Sequence, residues 1–249
     1  MTATRLGIYL GVPFLILLAW FLLAISEVVN PFLLPSPIEV ARDLGTVLTD
    51  SATYPHLWTT LRQVLLAFGL AAALGIGIGL PIGWYRTLRK AYEPVLGMVY
   101  AVPLVVLYPV IALFFGIGAT SKIVFGALYA FFPIVLATIS AVSLVDQNLV
   151  SAGRSMGARG ATLFRTVVLP AARPRIMVGL RLGIILATLA VVGGQYIAGT
   201  SGLGYLLATA GQSFQTVLMF AYIVLTLAFA VLVNGLMAAL DHYTNRSLT

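Results

Sequence analysis

The sequence predicts an all-α integral membrane protein with about six transmembrane helices and a cytoplasmic helix–turn–helix. Three observations indicate this class: hydrophobic residues make up 61% of the 249 residues, charged residues only 8%, and the mean hydropathy is +1.05. A soluble domain carries about a quarter of its residues as charged side chains. The chain contains no cysteine, which excludes a disulfide-stapled secreted scaffold. Residues 1–249 are therefore interpreted as a single domain in lipid.

Six stretches with at most one charged residue each are long enough to cross a bilayer core, which takes about 20 apolar residues. The predicted spans cover about residues 6–27, 63–85, 94–118, 123–145, 178–198 and 216–240. Pro103 and Pro109 are expected to kink the third span, and Gly199-Thr-Ser-Gly-Leu-Gly204 is a turn signal between the last two. Arg5 and the apolar stretch after it resemble a signal peptide. The stretch exceeds the usual h-region of about 7–15 residues, so we interpret it as a retained anchor.

The distribution of basic residues predicts the orientation. If the N-terminus is cytoplasmic, eleven of the 14 Lys and Arg residues fall inside, and only Arg42, Arg62 and Lys122 fall outside. Because basic residues accumulate on the cytoplasmic side, both termini are expected there. The net charge of +7 is attributed to this orientation, and no nucleic-acid partner is expected.

Residues 28–57 form the one sizeable loop predicted outside. Ser36 is expected to cap a short amphipathic helix, with Pro37 at its first position. The apolar residues available for one face of this helix are Ile38, Val40, Ala41, Leu44 and Leu48. Amphipathicity alone leaves open whether the helix lies along the membrane surface or packs on the bundle.

The segment 146–175, between the fourth and fifth spans, is patterned as two short helices. Asp146 is expected to cap the first helix, whose apolar face would carry Leu149, Ala152, Gly153 and Met156. Gly157 is expected to break the chain direction in a left-handed conformation. The second helix is expected to group Leu163, Phe164, Val167 and Val168, with Arg159 and Arg165 elsewhere, and to end at Pro170 and Pro174 before the fifth span.

Small residues at 152, 153, 157 and 158 would let another backbone approach this segment closely. An apolar patch that faces the cytosol is a liability unless a partner covers it. The segment is therefore interpreted as a docking element for a cytoplasmic protein, with a self-packed hairpin as the alternative.

These residues resemble a known loop. Ser151-Ala-Gly-x3-Gly157-x9-Val167-x-Leu-Pro170 is similar to the EAA loop of type I ABC importer permeases, whose usual form is EAA-x3-G-x9-I-x-LP. The following Pro174-x-Ile-x-x-Gly-Leu-Arg-Leu-Gly183 also resembles that family. Further similar stretches are Pro35-Ser-Pro37, Thr60-Leu-Arg62, Ala101-Val-Pro103 and Gly202-Leu-Gly-Tyr205. The resemblance is strongest to the nitrate, sulfonate, taurine and bicarbonate branch, with thiamine-precursor and riboflavin permeases nearby.

The resemblance implies a permease of the bacterial inner membrane that pairs with a second copy of itself, lies in lipid and takes solute from a binding protein. It also implies two ATPase subunits, which would hold ATP and Mg; this chain itself lacks the GxxxxGK[ST] phosphate loop and needs no cofactor. The residues assigned to ATPase coupling are Ser151, Ala152, Gly153, Met156, Gly157, Ala158, Phe164, Leu169 and Pro170. Ser151 and Gly153 depart from the usual Glu and Ala.

Polar side chains inside predicted spans are candidates for the translocation path. These candidates are Tyr108, Tyr129, Ser140, Gln195 and Tyr196. The amide of Gln195 could bind a neutral or anionic solute, or it could hydrogen-bond a neighbouring helix. Gly75, Gly77 and Gly79 are interpreted as close-packing positions without a ligand role.

The sequence disfavours two other classes of function. An ion-coupled secondary transporter usually needs ionisable groups at mid-membrane, whereas all seven acidic residues lie at predicted span ends or in loops. An intramembrane enzyme is disfavoured because His56 and His242 are predicted on opposite sides, so no catalytic or metal cluster can form. The solute is expected to be an organic or inorganic anion such as a sulfonate, taurine or nitrate; a thiamine-precursor or riboflavin-like heterocycle is the alternative.

Overall fold

The computed structural model describes residues 3–26 and 28–246, which form eleven α-helices and no strand. The long helices are α1 (Ala3–Ile25), α3 (Thr53–Trp84), α6 (Ala119–Ser143), α9 (Leu169–Ala198) and α11 (Thr216–Arg246). The shorter helices are α2 (Pro37–Thr49), α4 (Arg86–Tyr100), α5 (Tyr108–Phe115), α7 (Gln147–Ser155), α8 (Gly160–Leu163) and α10 (Leu203–Gln212). The predicted all-α class is confirmed.

The helices α3, α6, α9 and α11 are long and apolar enough to cross a membrane. Within α1, Phe14–Ile25 is a shorter apolar stretch, and residue 27, the predicted end of the first span, lies outside the described residues. α3 begins at Thr53, well before the predicted start of the second span at residue 63.

The predicted third span is broken rather than kinked. α4 and the segment Leu104–Phe115 meet at an angle of 79°. The break falls at residues 101–103, since Pro103 cannot donate a backbone hydrogen bond and restricts the residue before it. Pro109 makes no kink, because it lies in the first turn of α5, where its missing N–H costs nothing.

Helix α6 lies at the centre of the bundle between α3 and α9. Glycines spaced by four residues on α3 face side chains spaced by four on α6: Gly75 against Ile134, Gly79 against Thr138, and Gly83 against Val142. Small residues at this spacing let two membrane helices approach closely. The prediction is confirmed for Gly75 and Gly79 and wrong for Gly77, whose missing Cβ would meet nothing within 4 Å; Gly83 takes its place.

The predicted cap of α2 is confirmed. The Ser36 hydroxyl accepts a hydrogen bond from the Glu39 amide (3.3 Å), and the Glu39 carboxylate accepts one from the Ser36 amide (3.0 Å). α2 packs mainly on α11 and buries Val40 and Val47. The predicted apolar face is wrong at Ile38, Ala41 and Leu48, which are all exposed, because the buried stripe runs through residues 40, 44 and 47.

The prediction that the helix after α7 ends at Pro170 and Pro174 is wrong. α8 continues through a π-helical turn (Phe164–Val168) directly into α9. In that turn the Leu169 amide donates a hydrogen bond to the carbonyl of Phe164, five residues earlier in the chain. Pro170 falls in the first turn of α9 and Pro174 lies inside it. The wider turn shifts the hydrogen-bond register ahead of Pro170, which has no N–H to contribute.

Candidate functional site

Helix α7 is closed at both ends by the residues the sequence predicts. The Asp146 carboxylate accepts a hydrogen bond from the Asn148 amide at 2.8 Å. At the other end, the Gly157 amide donates a hydrogen bond to the Arg154 carbonyl. The Ala158 amide donates one to the Gly153 carbonyl, and both bonds are 3.0 Å long. Gly157 has φ +90°, so this is a Schellman-type termination that favours glycine. The two ends give α7 a fixed length and direction.

One side of α7 is buried on the bundle. Val150 and Gly153 are buried there, and a Cβ at Gly153 would come within 2.9 Å of both Leu163 and Val167 side chains. The prediction that Gly153 shares an exposed face with Leu149, Ala152 and Met156 is therefore wrong. Around the helix axis, Gly153 is the predicted face residue that lies nearest to Val150. The buried side of α7 is centred between Gly153 and Val150.

The opposite side of α7 is open. Leu149 is 51% exposed and Met156 is 88% exposed, and Ser151, Ala152 and Gly157 are exposed beside them. The remaining residues of α7 are mostly polar, which does not suit a lipid contact. Leu149 and Met156 therefore form a small exposed apolar patch on an otherwise polar helix. We call Leu149, Ser151, Ala152, Met156 and Gly157 the α7 surface.

The other coupling candidates lie behind this surface. Ala158, Phe164, Leu169 and Pro170 are half-buried, and the first three pack against a cluster formed by the end of α6 and the start of α9. The Phe164 ring meets the Trp84 ring edge-on at 5.1 Å between centroids. The sequence reasoning missed Trp84, which ties the turn to α3, although an aromatic residue at a span end is a recognisable signal.

The structure places Gln195 in a buried polar junction between α3 and the turn after α9. Its side-chain oxygen accepts hydrogen bonds from the Thr60 hydroxyl and the Gly204 amide, both at 3.1 Å. Its amide nitrogen donates to Gln63 at 3.0 Å. The Thr60 oxygen in turn accepts from the Leu203 amide at 2.9 Å. Gln195 therefore hydrogen-bonds a neighbouring helix, which is one of the two roles that the sequence left open. Its role in the translocation path stays a prediction.

Two glycines let the turn close over Gln195. Gly202 has φ +104°, and its amide donates to His56 Nδ1 at 3.0 Å. A Cβ at Gly202 would overlap the Gln195 amide, and one at Gly204 would lie 2.8 Å from the Gln195 Cβ. The sequence indicated the turn and the glutamine separately. Their contact with Thr60 and Gln63 joins positions more than 130 residues apart, which no local pattern reports.

The remaining path candidates do not form one cluster. Tyr108 is buried, and both it and the half-buried Tyr129 meet the Phe125 ring at 5.0 Å between centroids. Ser140 is half-buried further along α6, and Tyr196 is 51% exposed. Their roles in the path stay predictions. Among the described residues, no three His, Asp or Glu side chains come close enough to hold a metal ion.

Long apolar helices around a glycine-packed centre, with a capped polar helix–turn–helix outside them, define a multi-pass membrane protein. Residues 69–246 match the family described as binding-protein-dependent transport system inner membrane component, and the chain belongs to this family. It is the membrane permease subunit of an ABC importer, located in the inner membrane. Such a subunit is not an enzyme and works with an ATPase and a binding protein.

Three curated relatives align over most of this chain. The taurine transport system permease protein TauC of Escherichia coli is 32% identical over 90% of this chain and 84% of its own length. The putative aliphatic sulfonates transport permease protein SsuC of Bacillus subtilis is 30% identical over 92% of this chain and 83% of its own length. The riboflavin transport system permease protein RibX of Chloroflexus aurantiacus is 35% identical over 84% of this chain and 78% of its own length.

Proposed function

We propose that two copies of this chain form the translocation unit of an importer for a small sulfonate-type anion, and that the α7 surface receives the ATPase. The observation that carries the coupling role is the two-sidedness of α7. Val150 and Gly153 fix the helix to the bundle, while Leu149 and Met156 are held out into water.

The packing behind α7 supports a mechanical route from this surface into the bundle. Val150 belongs to a buried cluster with Val142 and Val145 at the end of α6 and with Ala172 and Ile176 near the start of α9. Densely packed side chains transmit displacement because they compress little. A push on α7 would therefore move the ends of the two central helices together.

The proposed orientation places α7 and both termini in the cytoplasm. Arg86 and Arg89 lie at the start of α4, next to Arg154 of α7 around one cavity, so basic residues gather at the α7 end of the bundle. This agrees with the accumulation of basic residues on the cytoplasmic side of membrane proteins. Lys122, one of the three basic residues assigned to the outer side, is buried; its ammonium donates to the carbonyls of Ile117 and Ala198.

Helix α9 supports the proposal of a second copy. It packs on α3, α6, α10 and α11, yet one apolar stripe along it remains exposed. The stripe consists of Val178, Leu182, Ile185, Leu189 and Tyr196. A matching stripe on a second copy would cover it and would bring α9 of both chains to the path, so that the dimer would carry two ATPase subunits. Lipid is the alternative cover.

The proposed solute rests on TauC and SsuC, whose names state taurine and aliphatic sulfonates. The placement of acidic residues is consistent with an anion, since none lies in α3, α6 or α9 and a carboxylate there would repel it. A riboflavin-like or thiamine-precursor heterocycle is the second candidate, because RibX and a formylaminopyrimidine transport permease are 35% and 30% identical to this chain.

The test is uptake in proteoliposomes that contain this chain, its ATPase and its binding protein. We expect ATP-dependent uptake of labelled taurine or an alkanesulfonate, with no uptake when ATP or the ATPase is omitted. Ala152→Trp should abolish it by adding bulk to the α7 surface, while Leu48→Trp, on an exposed position of α2, should leave it intact. Uptake of riboflavin alone would select the second candidate. Uptake without ATP or partners would contradict the proposal.

A further inference from the structure

A cavity of about 400 Å³ lies between the turn joining α3 to α4 and the side of α7 that carries Gln147, Val150 and Arg154. Helices α3, α4, α6 and α7 all contribute to its wall. The polar and aromatic residues that line it are Trp84, Arg86, Arg89, Ser143, Gln147 and Arg154. The cavity is next to the α7 surface but separate from it, because none of the five residues of that surface lines it.

Three guanidinium groups line this cavity, and no carboxylate does. Between residues 28 and 241, the one hydrogen bond that an arginine side chain donates runs from Arg175 to the Leu144 carbonyl. Arg86, Arg89 and Arg154 therefore have neither an ion pair nor a hydrogen bond in the described part of the chain. Arg86 and Arg154 are exposed and Arg89 is half-buried, so water screens the repulsion among the three like charges, but no carboxylate in the cavity wall offsets it.

The position of two of these arginines adds to that cost. Arg86 and Arg89 lie in the first turn of α4, which has no acidic residue and no side-chain cap. The start of a helix carries a partial positive charge, so cations are unfavourable there. The carbonyls at the end of α3 offset a part of this charge. An anion in the cavity would neutralise the remainder and would be met by planar donors that match an oxyanion in pairs.

We propose that this cavity binds a tetrahedral oxyanion, a phosphate or sulfonate group, at the α7 end of the bundle. Trp84 in its wall is typical of the membrane interface, the depth at which lipid headgroups lie. The group could thus come from an anionic phospholipid or from a free anion in the cytosol. Either source would link Arg154 of α7 to Arg86 and Arg89 of α4 and would restrain the movement of α7.

The experiment uses the full chain in nanodiscs and follows its thermal unfolding midpoint. One arm adds inorganic phosphate to neutral phosphatidylcholine discs, against chloride at equal ionic strength. The other arm compares neutral discs with discs that contain phosphatidylglycerol, and counts retained lipid by native mass spectrometry. Arg89→Gln and Arg154→Gln each remove one guanidinium group. Arg173→Gln, on an exposed position that does not line the cavity, is the matched control.

We expect the anion to raise the midpoint of the native chain and of Arg173→Gln by about 2–4 °C. The shift should be at least halved in Arg89→Gln and Arg154→Gln. A shift in the phosphate arm identifies a free oxyanion; a shift and retained lipid in the phosphatidylglycerol arm alone identify a headgroup. If either glutamine variant fails to fold, Arg154→Lys, which keeps the charge and loses the paired donors, should show a reduced shift. Equal shifts in all variants, or no shift in either arm, would overturn the proposal.

Discussion

Gly79 of α3 faces Thr138 of α6 so closely that a Cβ at position 79 would lie 2.7 Å from the Thr138 Cβ and 3.0 Å from the Val135 carbonyl oxygen. Neither atom is the end of a flexible side chain, so one of the helices would have to move. Gly77, half a turn away on the same helix, has nothing within 4 Å of its own missing Cβ. Substitutions at these two glycines therefore test whether close helix contact or backbone flexibility determines the stability of the bundle centre.

We predict that Gly79→Ala lowers the free energy of unfolding by about 1–3 kcal/mol through overpacking. Gly77→Ala should leave it unchanged or raise it by up to about 1 kcal/mol, because alanine is the better helix former. Thermal unfolding of both variants in the same detergent gives the comparison. Equal stability of the two variants would contradict the close approach of α3 and α6.

Gln195→Leu should weaken the junction between α3 and the turn after α9. It leaves the Gly204 amide and the Gln63 side chain without their partner, and a buried group left unpaired costs about 1–3 kcal/mol. Thermal unfolding should show this loss, while Tyr196→Phe, at the exposed neighbour, should unfold like the native chain. Native stability of Gln195→Leu combined with an altered solute preference would instead assign the side chain to the path.

Gly157→Ala should impair coupling rather than membrane insertion. A left-handed conformation costs a residue with a Cβ about 1–2 kcal/mol, and nothing lies within 4 Å of the missing Cβ, so the φ of +90° is the constraint. We expect ATP-driven uptake to fall with Gly157→Ala and to be lost with Gly157→Arg at an unchanged amount of inserted protein. Gly97→Ala, on α4 with open space around it, is the control. Native uptake by both position-157 variants would refute this role.

The cap of α2 should make the stability of the protein depend on pH. Hydrogen bonds from the Ser36 backbone and hydroxyl favour the ionised form and lower the pKa of Glu39 below its usual value. A lowered pKa in the folded state means that the stabilisation is present above the unfolded pKa, about 4.3, and is lost as the pH falls through the folded value. The unfolding midpoint of the native chain should therefore drop in this acidic range by more than that of Glu39→Gln. Parallel pH profiles would show that the cap contributes nothing.

Features that depend on neighbouring residues could be predicted from the sequence. Ser36, Asp146 and Gly157 act at helix ends through bonds to residues a few positions away, so their chemistry and spacing are enough to locate them. The break before Pro103 follows in the same way, although the sequence does not give its angle.

Features that depend on distant contacts could not be predicted. The π-helical turn before Pro170 keeps one helix continuous where proline normally ends it. The inward side of α7 is decided by Leu163 and Val167, which lie in the following helix and turn. The partners of Gln195 come from α3. Apolar patterning alone could not distinguish helix faces that contact lipid from those that contact another helix, since both are hydrophobic.

Labelling at position 156 tests the docking of the ATPase on the α7 surface most directly. The chain has no cysteine, so Met156→Cys gives one thiol at a position that is 88% exposed. A membrane-impermeant maleimide should label it from the cytoplasmic side only, and added ATPase subunit should suppress the labelling. Leu48→Cys on α2 should be labelled from the outside with no effect of the ATPase. Labelling of position 156 from the outside, or equal labelling with and without the ATPase, would contradict the account.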